Sequence, residues 1–293
     1  MTALLRVDER LETVSATQRA DGTVFLRARS EPALEQLRFV LALEDDHTPF
    51  LRRFASDPLL GEATRRLRGL RPLRVATVAQ ALLRALCGQL IQARRARAIE
   101  RRVVRAAMPG LNGLHAPPTQ PALARFAPAQ LRALGLGGRK AATLVRLCRS
   151  LDLDELRALP TDAVAARLER ERGLGPWSVG VVCLEGLGRA ERGLTGDLGL
   201  IKLCSALRGR WVEAAETAEL LEPYGEWAGL ASVYLLAGAS RGLVPGASTV
   251  GASALGRRAG SGAGLHSSPW PSTAGGSRSS APARSASRFS PAC

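Results

Sequence analysis

No stretch of the 293 residues approaches the roughly 20 apolar residues that a membrane-spanning helix needs, and the N-terminus turns acidic at Asp8 before a signal-peptide core develops. A soluble, cytoplasmic protein is the expectation. Ligand spacing for a metal is also missing. The five cysteines, Cys87, Cys148, Cys183, Cys204 and Cys293, form no pair spaced like a zinc or iron–sulfur set, and four of them fall inside apolar helical patterns. They read as buried, reduced thiols. The three histidines, His47, His115 and His266, are scattered. Lysine is nearly absent, since all but Lys140 and Lys202 of the 41 basic residues are arginine.

What is abundant is positive charge. The 41 basic residues face 26 acids, a formal net charge of +15. Such an excess points to a polyanionic partner, most often nucleic acid, whose condensed counterions are released on binding. The competing reading is that arginine merely solvates helix faces. Six of the 15 surplus charges lie after Ser240, where there is no acid, which leaves +9 for residues 1–240.

Residues 12–29 carry the one convincing strand signal, with Ala20-Asp21-Gly22 as a turn and a β-rich run at 23–29 behind it. From Ser30, a helix cap, the 3.6-residue period continues almost to Ser240. It predicts helices over 31–43, 47–56, 58–68, 78–88, 92–107, 127–134, 139–150, 162–171, 176–186, 198–207, 212–222 and 226–240, with Thr77 and Thr161 as N-caps. The fold class is predominantly α, divided into a small α+β element over 1–45, a helical core over 46–240 and a low-complexity tail over 241–293. In that tail Ala, Gly, Ser and Pro fill 36 of 53 positions, so it is excluded from the fold as disordered. It reads as a basic arm for DNA, an inert extension, or the translation of a shifted reading frame.

The chemistry concentrates in residues 168–203. A helix runs into Gly173-Leu174-Gly175, and a second apolar helix starts at Pro176, which loses no needed N–H in a first turn. Amides left uncovered at that helix start suit a phosphate. A Gly- and Arg-rich loop over 188–197 then delivers Asp197 to the front of a further helix. Alone, Asp197 is an ordinary N-cap, and the glycines an ordinary helix turn.

Together these residues resemble the helix–hairpin–helix DNA glycosylases, with a hairpin at 168–187 and the family's single aspartate at Asp197. Residues 81–91, ending Gly88-Gln89-Leu90-Ile91, resemble the family's helix with a Gly-Gln turn. Leu131-Arg132-Ala133-Leu134-Gly135-Leu136 with Lys140-Ala141 resembles the element before the hairpin. The resemblance spans roughly 35–240 and is nearest to the DNA-3-methyladenine glycosylase II branch. It implies base flipping, with Leu90 and Gln89 as the wedge in the opened stack and Gly173, Leu174 and Gly175 on the DNA backbone. It also implies Trp177 in the base pocket and Asp197 as the catalytic carboxylate. A core role for Leu90 and Trp177 is the alternative.

Strand-cleaving members carry a Schiff-base lysine where this chain has Trp177, and Lys202 does not match that position. The resemblance therefore implies a monofunctional glycosylase acting on alkylated purines in damaged double-stranded DNA. Such a protein would be a nucleoid-associated monomer with no cofactor and no iron–sulfur cluster, with a monovalent cation at the hairpin backbone as an option. Two positions often aromatic in close relatives fall on Val181 and Val233, with Trp227 and Tyr234 nearby. A glycosylase for another damaged base, or a non-catalytic DNA-binding protein, stands as the alternative.

Overall fold

A computed structural model describes residues 1–246 and the two-residue segment Arg288–Phe289. Strands β1 (Thr2–Val7), β2 (Arg10–Gln18) and β3 (Val24–Arg27) form an antiparallel meander in which Leu4 faces Thr13 and Ala16 faces Leu26. Leu5, Val14, Ala16 and Leu26 bury one face of this sheet against Ala33 and Leu37 of α1 (Glu31–Val40). The Ser30 cap forms as expected, and Ser30 also donates its amide (2.9 Å) and hydroxyl (2.7 Å) to Glu12 of β2. β1 lies outside the expected strand region. Its adjacent Leu4 and Leu5 break the alternation that marks a half-buried strand, and its partner supplies the pairing.

The helical body comprises α2 (Thr48–Arg53), α3 (Gly61–Arg66), α4 (Val78–Gly88), α5 (Ala93–Ala107), α6 (Gln120–Ala124), α7 (Pro128–Ala133), α8 (Gly138–Ser150), α9 (Thr161–Glu169), α10 (Pro176–Val181), α11 (Leu198–Arg208), α12 (Glu216–Leu221) and α13 (Ala228–Ala239). The end of α10 continues as a π-wound turn, Val182–Gly186. One hydrophobic core runs through all of this, from Phe50 to Val244. Thr77 caps α4 through the Gln80 amide (3.1 Å). The expected Thr161 cap does not form: Pro160 holds that place, and the Thr161 hydroxyl donates to Glu191 instead (3.1 Å). Neither α6 nor the hairpin of β4 (Gly110–Leu111) and β5 (Leu114–His115) was expected.

A two-residue strand β6 (Arg288–Phe289) pairs antiparallel with β3. The remainder of the expected tail, 247–287 and 290–293 with Cys293, lies outside the described residues. The boundary at Ser240 moves outward, because Val244 is buried and approaches Gly238 of α13. Among the described residues no helix is long and apolar enough to cross a membrane.

An ionic cluster ties the elements behind the site together. Arg84 on α4 reaches Glu100 on α5 through Nε and Nη2 (3.0 Å) and Glu185 on the π turn through Nη1 (2.7 Å). Burial works against the Arg84 charge, but the two carboxylates more than offset it and its pKa is raised.

Candidate active site

The hairpin between α9 and α10 is built by Gly173, whose φ of +99° is a left-handed conformation. A Cβ at Gly173 would stand 2.7 Å from the Thr143 hydroxyl of α8, so the residue is fixed by conformation and by space. Leu174 between the glycines turns inward and is buried. Gly175 differs: its φ is −108°, and a Cβ there would meet nothing within 4 Å. The protein itself has no need of glycine at 175. What its absence of side chain leaves clear is the approach to the start of α10.

Those two glycines give opposite expected outcomes. Gly173→Ala should lower the unfolding free energy in a denaturant titration by about 1–2 kcal/mol, the cost of a left-handed L residue. Gly175→Ala should keep wild-type stability and, where the hairpin takes a DNA phosphate as the resemblance implies, weaken duplex binding several-fold. Unchanged affinity would mean that no phosphate approaches there.

Gly88 ends α4 against the outer edge of the Trp177 indole, where a Cβ would lie 2.5 Å from Cη2. The next residue, Gln89, turns its amide back to the hairpin, donating to the Gly173 carbonyl (2.9 Å) and the Ser178 hydroxyl (3.0 Å). Lys140 of α8 donates to the Gln89 carbonyl (2.5 Å). Gln89, grouped with Leu90 as wedge, is therefore a brace between two elements. Leu90 itself is fully exposed (102%) and left-handed, with φ of +56°. It takes no part in the core.

Trp177 and Asp197 come together. Asp197 is the N-cap of α11, and its Oδ1 accepts from the amides of Gly199 (2.7 Å) and Leu200 (3.4 Å). Its Oδ2 accepts from the Trp177 indole N–H (3.0 Å). The cap and a fixed carboxylate are thus one arrangement. Trp177 orients the aspartate with its polar edge, a contact that its expected place in the base pocket did not include. Leu236 of α13 lies beside the same turn, 2.4 Å from where a Cβ on Gly199 would stand.

The loop before Asp197 is pinned from three sides. Leu194 donates its amide to the buried Ser232 hydroxyl (3.0 Å) and Gly196 to the Thr217 hydroxyl (2.7 Å). Gly180 of α10 lies under the Gly193 carbonyl, which a Cβ would approach to 2.5 Å. Thr143, Ser178, Thr217, Ser232 and Leu236 were not singled out in the sequence.

Other expectations change place. Val181 is buried and Val233 half-buried. The nearby Trp227 and Tyr234 do not stand in for pocket aromatics. Both pack at a tilt against Phe50 (ring centroids 5.9 and 5.1 Å apart), and the Tyr234 hydroxyl donates to the Leu67 carbonyl (3.0 Å).

A cation on the hairpin would need backbone carbonyls turned toward it. Those of Arg172 and Gly173 already accept from Arg146 and Gln89 (2.9 Å each), and the Arg146 guanidinium adds positive charge to the same turn. Each of these two carbonyls keeps one lone pair for a cation, and the guanidinium beside them opposes its charge. Cys87, Cys148, Cys183 and Cys204 are free and buried. Burial pushes the Cys87 and Cys148 thiols up to about 12 and that of Cys183 up to about 11.

The site is thus a capped carboxylate on α11, an exposed left-handed leucine at the end of α4 and a glycine hairpin, joined by Gln89 and Trp177. The same fold is found in solved glycosylase structures. One is the 3-methyladenine DNA-glycosylase from Archaeoglobus fulgidus, at a TM-score of 0.70 over 82% of this chain and 87% of that one, with 22% identity. Another is the 8-oxoguanine glycosylase/lyase of Clostridium acetobutylicum bound to double-stranded DNA, at 0.69 over 83% and 86%, with 18% identity. The chain has the helix–hairpin–helix glycosylase fold. In sequence it is 27% identical over 205 residues to the DNA-3-methyladenine glycosylase of Bacillus subtilis (strain 168), spanning 66% of this chain and 67% of the relative. No protein-family model matches the chain.

Proposed function

We propose that this protein is a monofunctional DNA glycosylase that hydrolyses the N-glycosidic bond of alkylated purines in duplex DNA, as a monomer acting on nucleoid DNA in the cytoplasm. The observation that carries this reading is the Asp197 carboxylate, held on one oxygen by cap amides and on the other by the Trp177 N–H at 3.0 Å. Glycosidic cleavage builds positive oxocarbenium character on the sugar, and a fixed carboxylate stabilises that charge without reorganising. The C1′–N bond breaks with its electron pair leaving on the base. Water forms the new C1′–O bond, and Asp197 orients that water and takes up its proton. An alkylated purine already carries positive charge and leaves without a strong acid, which suits a site with one carboxylate. Gly175 would admit the backbone phosphate, and Leu90 would fill the gap left by the flipped nucleotide.

The names of the relatives support both alkylated and oxidised bases as substrates, and the local chemistry favours the first. A lyase step needs an amine on the sugar. At position 177 there is an indole, Lys202 is exposed on α11, and Lys140 is hydrogen-bonded to Gln89 (2.5 Å).

A duplex with a single 7-methylguanine or 3-methyladenine tests the reading. Free base should appear with abasic sites, and strand breaks only after alkali. Breaks before alkali, or a borohydride-trapped covalent complex, would overturn the monofunctional assignment. Release from an 8-oxoguanine duplex alone would overturn the substrate, and binding with no release from any lesion would leave a DNA-binding protein.

A further inference from the structure

The helix after the wedge turn has no part in the chemistry above. α5 carries Arg94, Arg95, Arg97, Arg101, Arg102 and Arg105 against one acid, Glu100, and that acid points inward to Arg84. At about 100° per residue, Arg94, Arg97, Arg101 and Arg105 fall within roughly 80° of one another on the helix. They lie opposite the buried Ala96, Ile99 and Val103. Arg102 stands apart, since its Nε donates to the Leu134 carbonyl (2.8 Å).

The charges in this stripe are not neutralised. Arg65, Arg66, Arg208 and Arg210, also on exposed surfaces, are each paired with glutamates. Arg94, Arg97, Arg101 and Arg105 are exposed and have no acidic partner among the described residues. Arg97 and Arg101, like Arg101 and Arg105, are cations four apart on one helix, an arrangement that repels. A stripe that opposes its own helix and pairs with nothing inside the protein is complementary to a line of phosphates.

α5 packs against α4 and is joined to it by the short turn 89–92, so the stripe begins beside Leu90. Arg97 and Arg105 are separated by about 12 Å of helix rise, the axial span of three to four phosphates of one strand.

We propose that Arg97, Arg101 and Arg105 form a DNA-backbone site separate from the hairpin and from Asp197, a site that rests on the reading of this protein as DNA-binding and not on the reading of Leu90 as the wedge.

The test uses the full chain with R97Q/R101Q/R105Q. A control, R10Q/R19Q/R27Q, removes equal charge from the N-terminal sheet. On undamaged duplex the slope of log affinity against log salt should flatten by about 3 for the first variant and stay at the wild-type value for the control. Equal slopes for wild type and stripe variant, or equal flattening in both variants, would overturn the proposal. A flattened slope in a protein that releases no base would keep the backbone site and sink the glycosylase reading. Matching thermal melts establish that the variants fold.

Discussion

Asp197→Asn should release base from an alkylated duplex at least about 10³-fold more slowly than the wild type, the scale on which removing one preorganised charge-stabilising group acts. The substitution separates the two duties of this residue. Asparagine is as good an N-cap as aspartate, and its one carbonyl oxygen can still accept from the Gly199 amide that Oδ1 holds at 2.7 Å. The stability of α11 should therefore stay within about 0.5 kcal/mol of wild type. What is lost is the negative charge on which the proposed reaction depends and the acceptor for the Trp177 N–H. Single-turnover base release and denaturant unfolding, measured on the same preparation, separate these effects. A variant that loses both together would make Asp197 a structural cap first.

Arg84→Leu should destabilise the fold by about 3 kcal/mol, the low end for breaking an ionic cluster by removing one partner. Arg84 keeps some solvent contact, which argues against a larger figure, but Glu100 is only 7% exposed. Without the guanidinium the Glu100 and Glu185 carboxylates share no counter-charge. Urea titrations of the two proteins give the comparison, and a loss below about 1 kcal/mol would show that the cluster contributes no more than an exposed ion pair. The same variant should also loosen α4 against the π turn, and with it the placement of Gly88 and Leu90.

The path from sequence to site was clearest where the requirement is local. Gly173 was legible because a left-handed turn favours glycine, and Asp197 because a cap and a hairpin stood at a readable spacing. Leu90 was legible as a residue ending a helix motif, although not its left-handed backbone. Gln89 was misplaced, since whether a side chain points out with its neighbour or back to Gly173 depends on an element 84 residues away. The same holds for the aim of the Trp177 N–H, for Thr217, and for Ser232, a polar residue in an apolar helix with no period to reveal it. The β4–β5 hairpin did carry a turn signal, Asn112-Gly113, but its two-residue strands gave the signal nothing to flank. β1 depends on pairing with β2, which no local pattern states.

The buried thiols bear on how a protein with the proposed activity would withstand alkylating agents. Methylating agents attack the best nucleophiles available, and in a protein those are thiolates. Here Cys87, Cys148, Cys183 and Cys204 are all buried, and burial keeps the first three protonated at neutral pH, with values pushed up to about 11 or 12. Lys140, whose ammonium burial would tend to neutralise, is hydrogen-bonded into the Gln89 turn. The described thiols therefore offer an electrophile little to react with, so a catalyst of the proposed kind would not be consumed through its cysteines by the reagent whose products it removes.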